Sequence, residues 1–187
     1  MYLLILFSGC TPASDSAPPS VSTPSWQAQV QASIQAQQLA PQSTPDGFVA
    51  RQPFLDLQAH WDDAGVHLSQ QAGVAPVHLQ LTGWGRVDAL EPVAAVAPEW
   101  GDCTEAVDTQ GQCVRQVQYV HSGLTEWCEN TSSGLEQGFT VVPPSGTGEL
   151  MLQVGVEGAT VALGEDGAVT LQPETGETLR YEGLLVW

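Results

Sequence analysis

Between His121 and Phe139 the chain reads His-Ser-Gly-Leu-Thr-Glu-Trp-Cys-Glu-Asn-Thr-Ser-Ser-Gly-Leu-Glu-Gln-Gly-Phe. It sets an imidazole, a thiol, acids and a carboxamide within a short run. Those types suit cysteine–histidine nucleophilic chemistry, which needs the base within hydrogen-bond reach of the sulfur. The spacing argues otherwise. Ser122-Gly123 reads as a two-residue hairpin turn. In that register His121 faces Leu124, Tyr119 faces Glu126 and Val117 faces Cys128. At about 3.3 Å per residue, Cys128 then lies on the order of 13 Å along the hairpin from His121. The same register puts Val117, Tyr119, Leu124 and Cys128 on one face, where an unpaired cysteine behaves as a small hydrophobe. Asn130-Thr-Ser fits a glycosylation sequon.

Three further histidines, His60, His67 and His78, each sit between apolar neighbours in an alternating pattern. That pattern predicts a sheet face open to water. His60 and His67 straddle the Asp62–Gly65 turn, and with Asp62 or Asp63 they make at most an adventitious metal site. A dedicated zinc site shows tighter ligand spacing, so no metal and no cofactor are expected. There is no Gly-x-Ser-x-Gly elbow, phosphate-cradling loop or dinucleotide fingerprint, and no catalytic set is expected. Six tryptophans (Trp26, Trp61, Trp84, Trp100, Trp127 and Trp187) are enough for a carbohydrate platform, but five lie in or beside strands and turns, where packing is the expected role.

The N-terminus, Met1-Tyr-Leu-Leu-Ile-Leu-Phe-Ser-Gly-Cys10, is too short an apolar run to span a bilayer as a helix. It resembles the end of a secretory signal, and Phe7-Ser8-Gly9-Cys10 resembles a bacterial lipobox, after which Cys10 is acylated. Its short, uncharged start suggests a true start codon upstream. The following Ser/Thr/Pro/Ala run cannot pack into a core and suits a tether. Several acyl chains, at about 0.8 kcal/mol per buried methylene, give essentially permanent anchoring. Thr11 rather than Asp after the cysteine points, by resemblance to Gram-negative sorting, to the outer membrane or cell surface.

Export permits disulfides. Cys103, Cys113 and Cys128 allow three single pairings, which sequence does not choose among. Cys103 and Cys113 bracket a polar, turn-prone loop whose closure contributes about 3 kcal/mol, which favours that pair. Twenty-one acids stand against four arginines and no lysine, for a net charge of −17. Such a surface repels phosphate backbones and argues against nucleic-acid partners. No Asp-rich calcium loop is present.

The elements that must position these residues are mostly strands. Ser25 caps one helix, to about Ala40, in which Trp26, Val30 and Ile34 form a narrow apolar stripe. Gln42 to Gly47 breaks that pattern. Strands are predicted over Leu55–Trp61, Val66–Leu68, Val77–Thr82 (interrupted by Gly83-Trp-Gly85), Val114–Val120, Leu124–Asn130, Phe139–Val142, Leu150–Val156, Ala159–Leu163, Ala168–Leu171 and Leu179–Trp187. Short strands at regular spacing, with glycine-rich turns and no second helix, predict a mostly β protein: an antiparallel β-sandwich of about ten strands preceded by one short N-terminal helix. The expected organisation is a signal segment over 1–9, a tether over 10–24, the helix over 25–40 and the sandwich over 41–187. No fixed-period repeat is present.

Leu79-Gln-Leu-Thr-Gly-Trp-Gly85, Gly123-Leu-Thr-Glu-Trp-Cys-Glu-Asn130, Gly134-Leu-Glu-Gln-Gly-Phe-Thr140 and Leu179-Arg-Tyr-Glu-Gly-Leu-Leu-Val-Trp187 follow in that order. Together they resemble the N-terminal β-rich leader module of large exported bacterial proteins carrying FG-GAP (integrin-α-like) repeats, found in myxobacteria and similar organisms. The resemblance spans roughly residues 25 to 187. It implies an aromatic residue at the place of Cys128, hence a core-filling role, and a local insertion at the Cys103–Cys113 loop, hence their mutual pairing. It carries over no catalytic residue. It implies a structural leader to a repeat array. The expected function is a non-enzymatic, lipid-anchored structural or adhesion-type module with a protein or carbohydrate partner at the cell surface. The rivals are a ligand-binding sandwich using exposed tryptophans and a hydrolase with an unrecognised site.

Overall fold

The computed structural model describes residues 2–7, 25–53, 55–70, 74–101 and 115–183. In chain order the elements are β1 (Tyr2–Phe7), α1 (Trp26–Leu39), β2 (Gln42–Thr44), β3 (Gly47–Gln52), β4 (Leu57–Asp62), β5 (Gly65–Ser69), β6 (Val77–Arg86) and β7 (Ala89–Pro92). There follow β8 (Glu99–Trp100), β9 (Gln116–His121), β10 (Leu124–Thr131), β11 (Gly134–Val141), β12 (Leu150–Glu157), β13 (Ala159–Leu163), β14 (Val169–Pro173) and β15 (Leu179–Tyr181). All pairings are antiparallel. The protein is therefore mostly β, a sandwich with one short helix, as the alternation predicts.

Three sheets share one core. The largest runs β1-β12-β6-β5-β4-β3-β2, with β7 also paired to β6; the second runs β11-β10-β9-β8 and the third β13-β14-β15. Alternate residues of the largest sheet point inward: Phe48 and Ala50, Ala59 and Trp61, Val66 and Leu68, Val77, Leu79 and Leu81, then Leu152, Val154 and Val156. Val117, Tyr119, Leu124 and Cys128 meet them from the second sheet, and Val169 and Leu171 from the third. Each strand thus buries one face and wets the other, which is why the sequence alternates. Tyr119 closes the two layers polarly, its hydroxyl donating to the Gly65 carbonyl at 2.7 Å. At the corner between β12 and β13 sits Gly158, at φ +77°, where a Cβ would come within 2.4 Å of the Pro76 carbonyl oxygen.

Several expectations are corrected. Gly83-Trp-Gly85 does not interrupt its strand: β6 runs unbroken from Val77 to Arg86, paired to β12 on one side and to β5 and then β7 on the other. The irregularity is a bulge at Thr82, which β12 skips between Gln153 and Val154. Gln42–Thr44, read as a break, is a short strand, and the turn proper is Pro45-Asp46. The strand expected over Phe139–Val142 begins earlier, at Gly134, and ends at Val141 as β11. Strands β2, β3, β7 and β8 are not among the expected ones; β2, β7 and β8 are only two to four residues long. Tyr2–Phe7, within the expected signal segment, lies alongside Leu150–Gly155. The stripe of α1 faces outward, with Trp26 75% exposed and Val30 and Ile34 also exposed.

Candidate functional site

The β9–β10 hairpin has the predicted register: His121 opposite Leu124, Tyr119 opposite Glu126 and Val117 opposite Cys128. Cys128 is 1% exposed and unpaired. Burial, and secondarily the nearby Glu126, push its thiol far above the ordinary range, so the reactive thiolate is suppressed. The indole N–H of Trp61 faces the sulfur but finds no full hydrogen bond. His121 lies four residues up the strand register from Cys128. Burial pushes its imidazole below the usual value, against a main-chain contact with Ala94 that raises it, and its Nε2 has no partner. Imidazole and thiol are thus both held neutral and apart.

The acids of the same segment divide between the two faces. Glu129 pairs outward with Arg115. Glu126 points inward and is 4% exposed; burial raises its carboxyl to about 7, against a hydrogen bond from Gln137 Nε2. Gln137 Oε1 in turn accepts from the Tyr181 hydroxyl at 3.1 Å, so a part-buried polar chain joins β10, β11 and β15. The sequon residue Asn130 is also buried and donates Nδ2 to the carbonyls of Leu39 and Arg51.

The histidines assemble on the outer face of the largest sheet. Strand register sets Val49, His60, His67, His78 and Glu157 in one row across β3, β4, β5, β6 and β12. His67 and His78 stack with centroids 4.4 Å apart and planes within 6°, and His60 lies 5.8 Å from His67. Stacking leaves the row half-buried rather than fully open. Asp62, two residues beyond His60, faces the same side. Its Oδ1 accepts from the Ala64 amide at 2.9 Å and stands 3.1 Å from His67 Nε2. His60 Nδ1 is 3.9 Å from its Oδ2. Burial raises the Asp62 carboxyl, but the Ala64 amide and the two histidines together hold it below the usual carboxylate value. His78 Nε2 donates to the Ala64 carbonyl at 2.9 Å, and its Nδ1 faces Glu157 at 3.8 Å. Sequence spacing brought out His60, His67 and Asp62. It did not place His78 beside them, because no turn rule covers the connection from β5 to β6.

The tryptophans are mostly structural. Trp61 is fully buried. Trp84 lies against the Gly123 turn, Trp100 makes an edge contact with Phe48 at 4.7 Å, and Trp127 lies over Gly138. Among the described residues only Trp26 is a largely exposed tryptophan. Cys10, Cys103, Cys113 and Trp187 lie outside the described residues. Among the described residues no helix is long and apolar enough to cross a membrane. No protein-family model, no curated protein and no solved structure matches the chain.

Proposed function

We propose that this chain is an exported lipoprotein, anchored through an acylated Cys10 to the outer membrane, whose β-sandwich is a non-enzymatic structural or adhesion-type module of the kind that leads FG-GAP repeat proteins. The observation that carries the reading is the fate of the hairpin. Cys128 is a core residue with a suppressed thiolate, four register positions from a half-buried, neutral His121. What resembled a thiol site is used for packing. A net charge of −17 suits a solvated exterior at a surface and disfavours anionic partners. The rival reading, a carbohydrate platform of stacked indoles, loses support because Trp61, Trp84, Trp100 and Trp127 all pack against other parts of the chain. In the anchored form, cleavage before Cys10 removes β1, and the outer edge of β12 becomes free while its pairing to β6 remains.

The test is fractionation of cells expressing the full chain, followed by mass spectrometry of its N-terminal peptide. The anchored reading expects the protein in the membrane fraction, beginning at a diacylated or triacylated Cys10, and C10S in the soluble fraction. An unmodified Cys10 in soluble protein would remove the anchor from the proposal.

A further inference from the structure

We propose that His60, Asp62 and His67 form a binding site for a divalent transition-metal ion on the outer face of the largest sheet, with zinc(II) the best-matched ion. One ligand atom from each residue lies within 4.8 Å of the other two. Metal–nitrogen and metal–oxygen bonds of about 2.0–2.2 Å span such a set after small side-chain rotations. Two imidazoles and a carboxylate are borderline donors, suited to zinc, copper or nickel; calcium and magnesium take all-oxygen shells.

Three features separate this set from chance neighbours. Cross-strand pairing of His60 with His67 puts both rings on one face, and Asp62 joins them by the two-residue period of β4. The carboxylate is already aimed, because the Ala64 amide holds its Oδ1. The His67 ring is braced by the stacked His78, which is itself tied to the Ala64 carbonyl. Ala64 therefore clamps the acid through its N–H and the bracing histidine through its C=O. Such outer partners are what orient the ligands of working metal sites.

The arrangement without metal is unbalanced. Asp62 makes a good hydrogen bond to His67, while His60 Nδ1, at 3.9 Å, is too distant for one. A cation between them engages all three: His67 shifts its proton to Nδ1 and offers the Nε2 lone pair, His60 offers Nδ1, and Asp62 offers Oδ2. His60 is the most exposed of the three, so the remaining coordination position opens to solvent. His78 is a positioning residue, not a ligand.

The test is titration of the full chain, its solvent-accessible thiols alkylated in the native state, with Zn²⁺ by calorimetry and with Co²⁺ by absorption. The site predicts one Zn²⁺ per chain, a rise in thermal midpoint on saturation, and Co²⁺ d–d bands without a thiolate charge-transfer band. H60A, D62N and H67A are each expected to weaken Zn²⁺ binding about tenfold or more. D62N is near-isosteric, and circular dichroism checks that it folds. E129Q, on the second sheet and paired with Arg115, is expected to bind as wild type. Absence of saturable binding, binding unchanged in both H67A and D62N, an equal loss in E129Q or a thiolate band would each overturn the site.

Discussion

Asn130 Nδ2 donates to the main-chain carbonyl of Leu39 at 3.0 Å and so ties β10 to the C-terminal end of α1. The same amide nitrogen donates to the Arg51 carbonyl at 2.9 Å. One acceptor is a last-turn helix carbonyl, which has no partner within the helix, and the other lies near the end of β3. N130A is therefore expected to destabilise the fold by about 2–3 kcal/mol, read by chemical denaturation, with the helix signal in far-ultraviolet dichroism lost before the sheet signal. The geometry also bears on the sequon. With Asn130 only 7% exposed and its amide hydrogens engaged, a glycosylating host is expected to secrete the chain unmodified there. A glycan on Asn130 in natively folded protein would contradict the packing.

Cys128 supplies the second prediction. In native buffer at pH 8 its thiol is expected to resist alkylation and to react fully in denaturant, read site by site by mass spectrometry. Its raised pKa and 1% exposure both act in that direction. C128S buries a hydroxyl in place of sulfur and is expected to cost about 1–3 kcal/mol, with C128V, which keeps the site apolar, costing less. Rapid native labelling would restore the thiol-site reading that the hairpin register removes.

How much of this could be read from residues varied with what sets the register. The β9–β10 pairing was legible because a two-residue turn, Ser122-Gly123, leaves one register in which Val117, Tyr119, Leu124 and Cys128 share a face. The helix was legible from its cap and period. Strand β6 was harder, because glycine at 83 and 85 reads as punctuation. Yet those glycines let β7 approach closely: a Cβ on Gly83 would meet Leu90 Cδ2 at 3.2 Å and the Glu91 carbonyl oxygen at 3.3 Å. The His60–Asp62–His67 group was visible as residues around one turn. The neighbouring His78 was not placed beside it, since no two-residue turn signal links it in sequence to His67 and fixes their register.

Gly138 is the third case. It faces Trp127 across β10–β11, and a Cβ there would come within 2.1 Å of Trp127 Cζ2, so the indole lies over the bare backbone. This accounts for the glycine in Gly-Leu-Glu-Gln-Gly-Phe-Thr as a packing requirement. G138A is expected to push the indole off the strand, at a cost of about 1–3 kcal/mol, with a shift in tryptophan emission. W127A/G138A is expected to cost less than the sum of the single changes, because the clash is then gone. Strict additivity would show that the two residues do not meet.

Glu126 gives the pH prediction. Burial raises its carboxyl from 4.5 in the unfolded chain to about 7 in the fold. Between those values the native state holds a proton that the unfolded state has lost, so stability falls as pH rises. The contribution is fully present below about pH 4.5 and is gone above about pH 7, and the difference is on the order of 3 kcal/mol. His121 acts oppositely, because its lowered value makes stability fall as pH drops below the usual imidazole range. The comparison must therefore be made against a variant that keeps His121. E126Q preserves the shape and can still accept from Gln137 Nε2, but it does not titrate. Denaturation midpoints of wild type and E126Q, measured from pH 4 to pH 8, are expected to diverge in favour of the variant as pH rises from about 4.5 to about 7 and to keep a constant gap above it. Parallel curves would mean that Glu126 is ionised in the fold and that the Gln137–Tyr181 chain stabilises a charge.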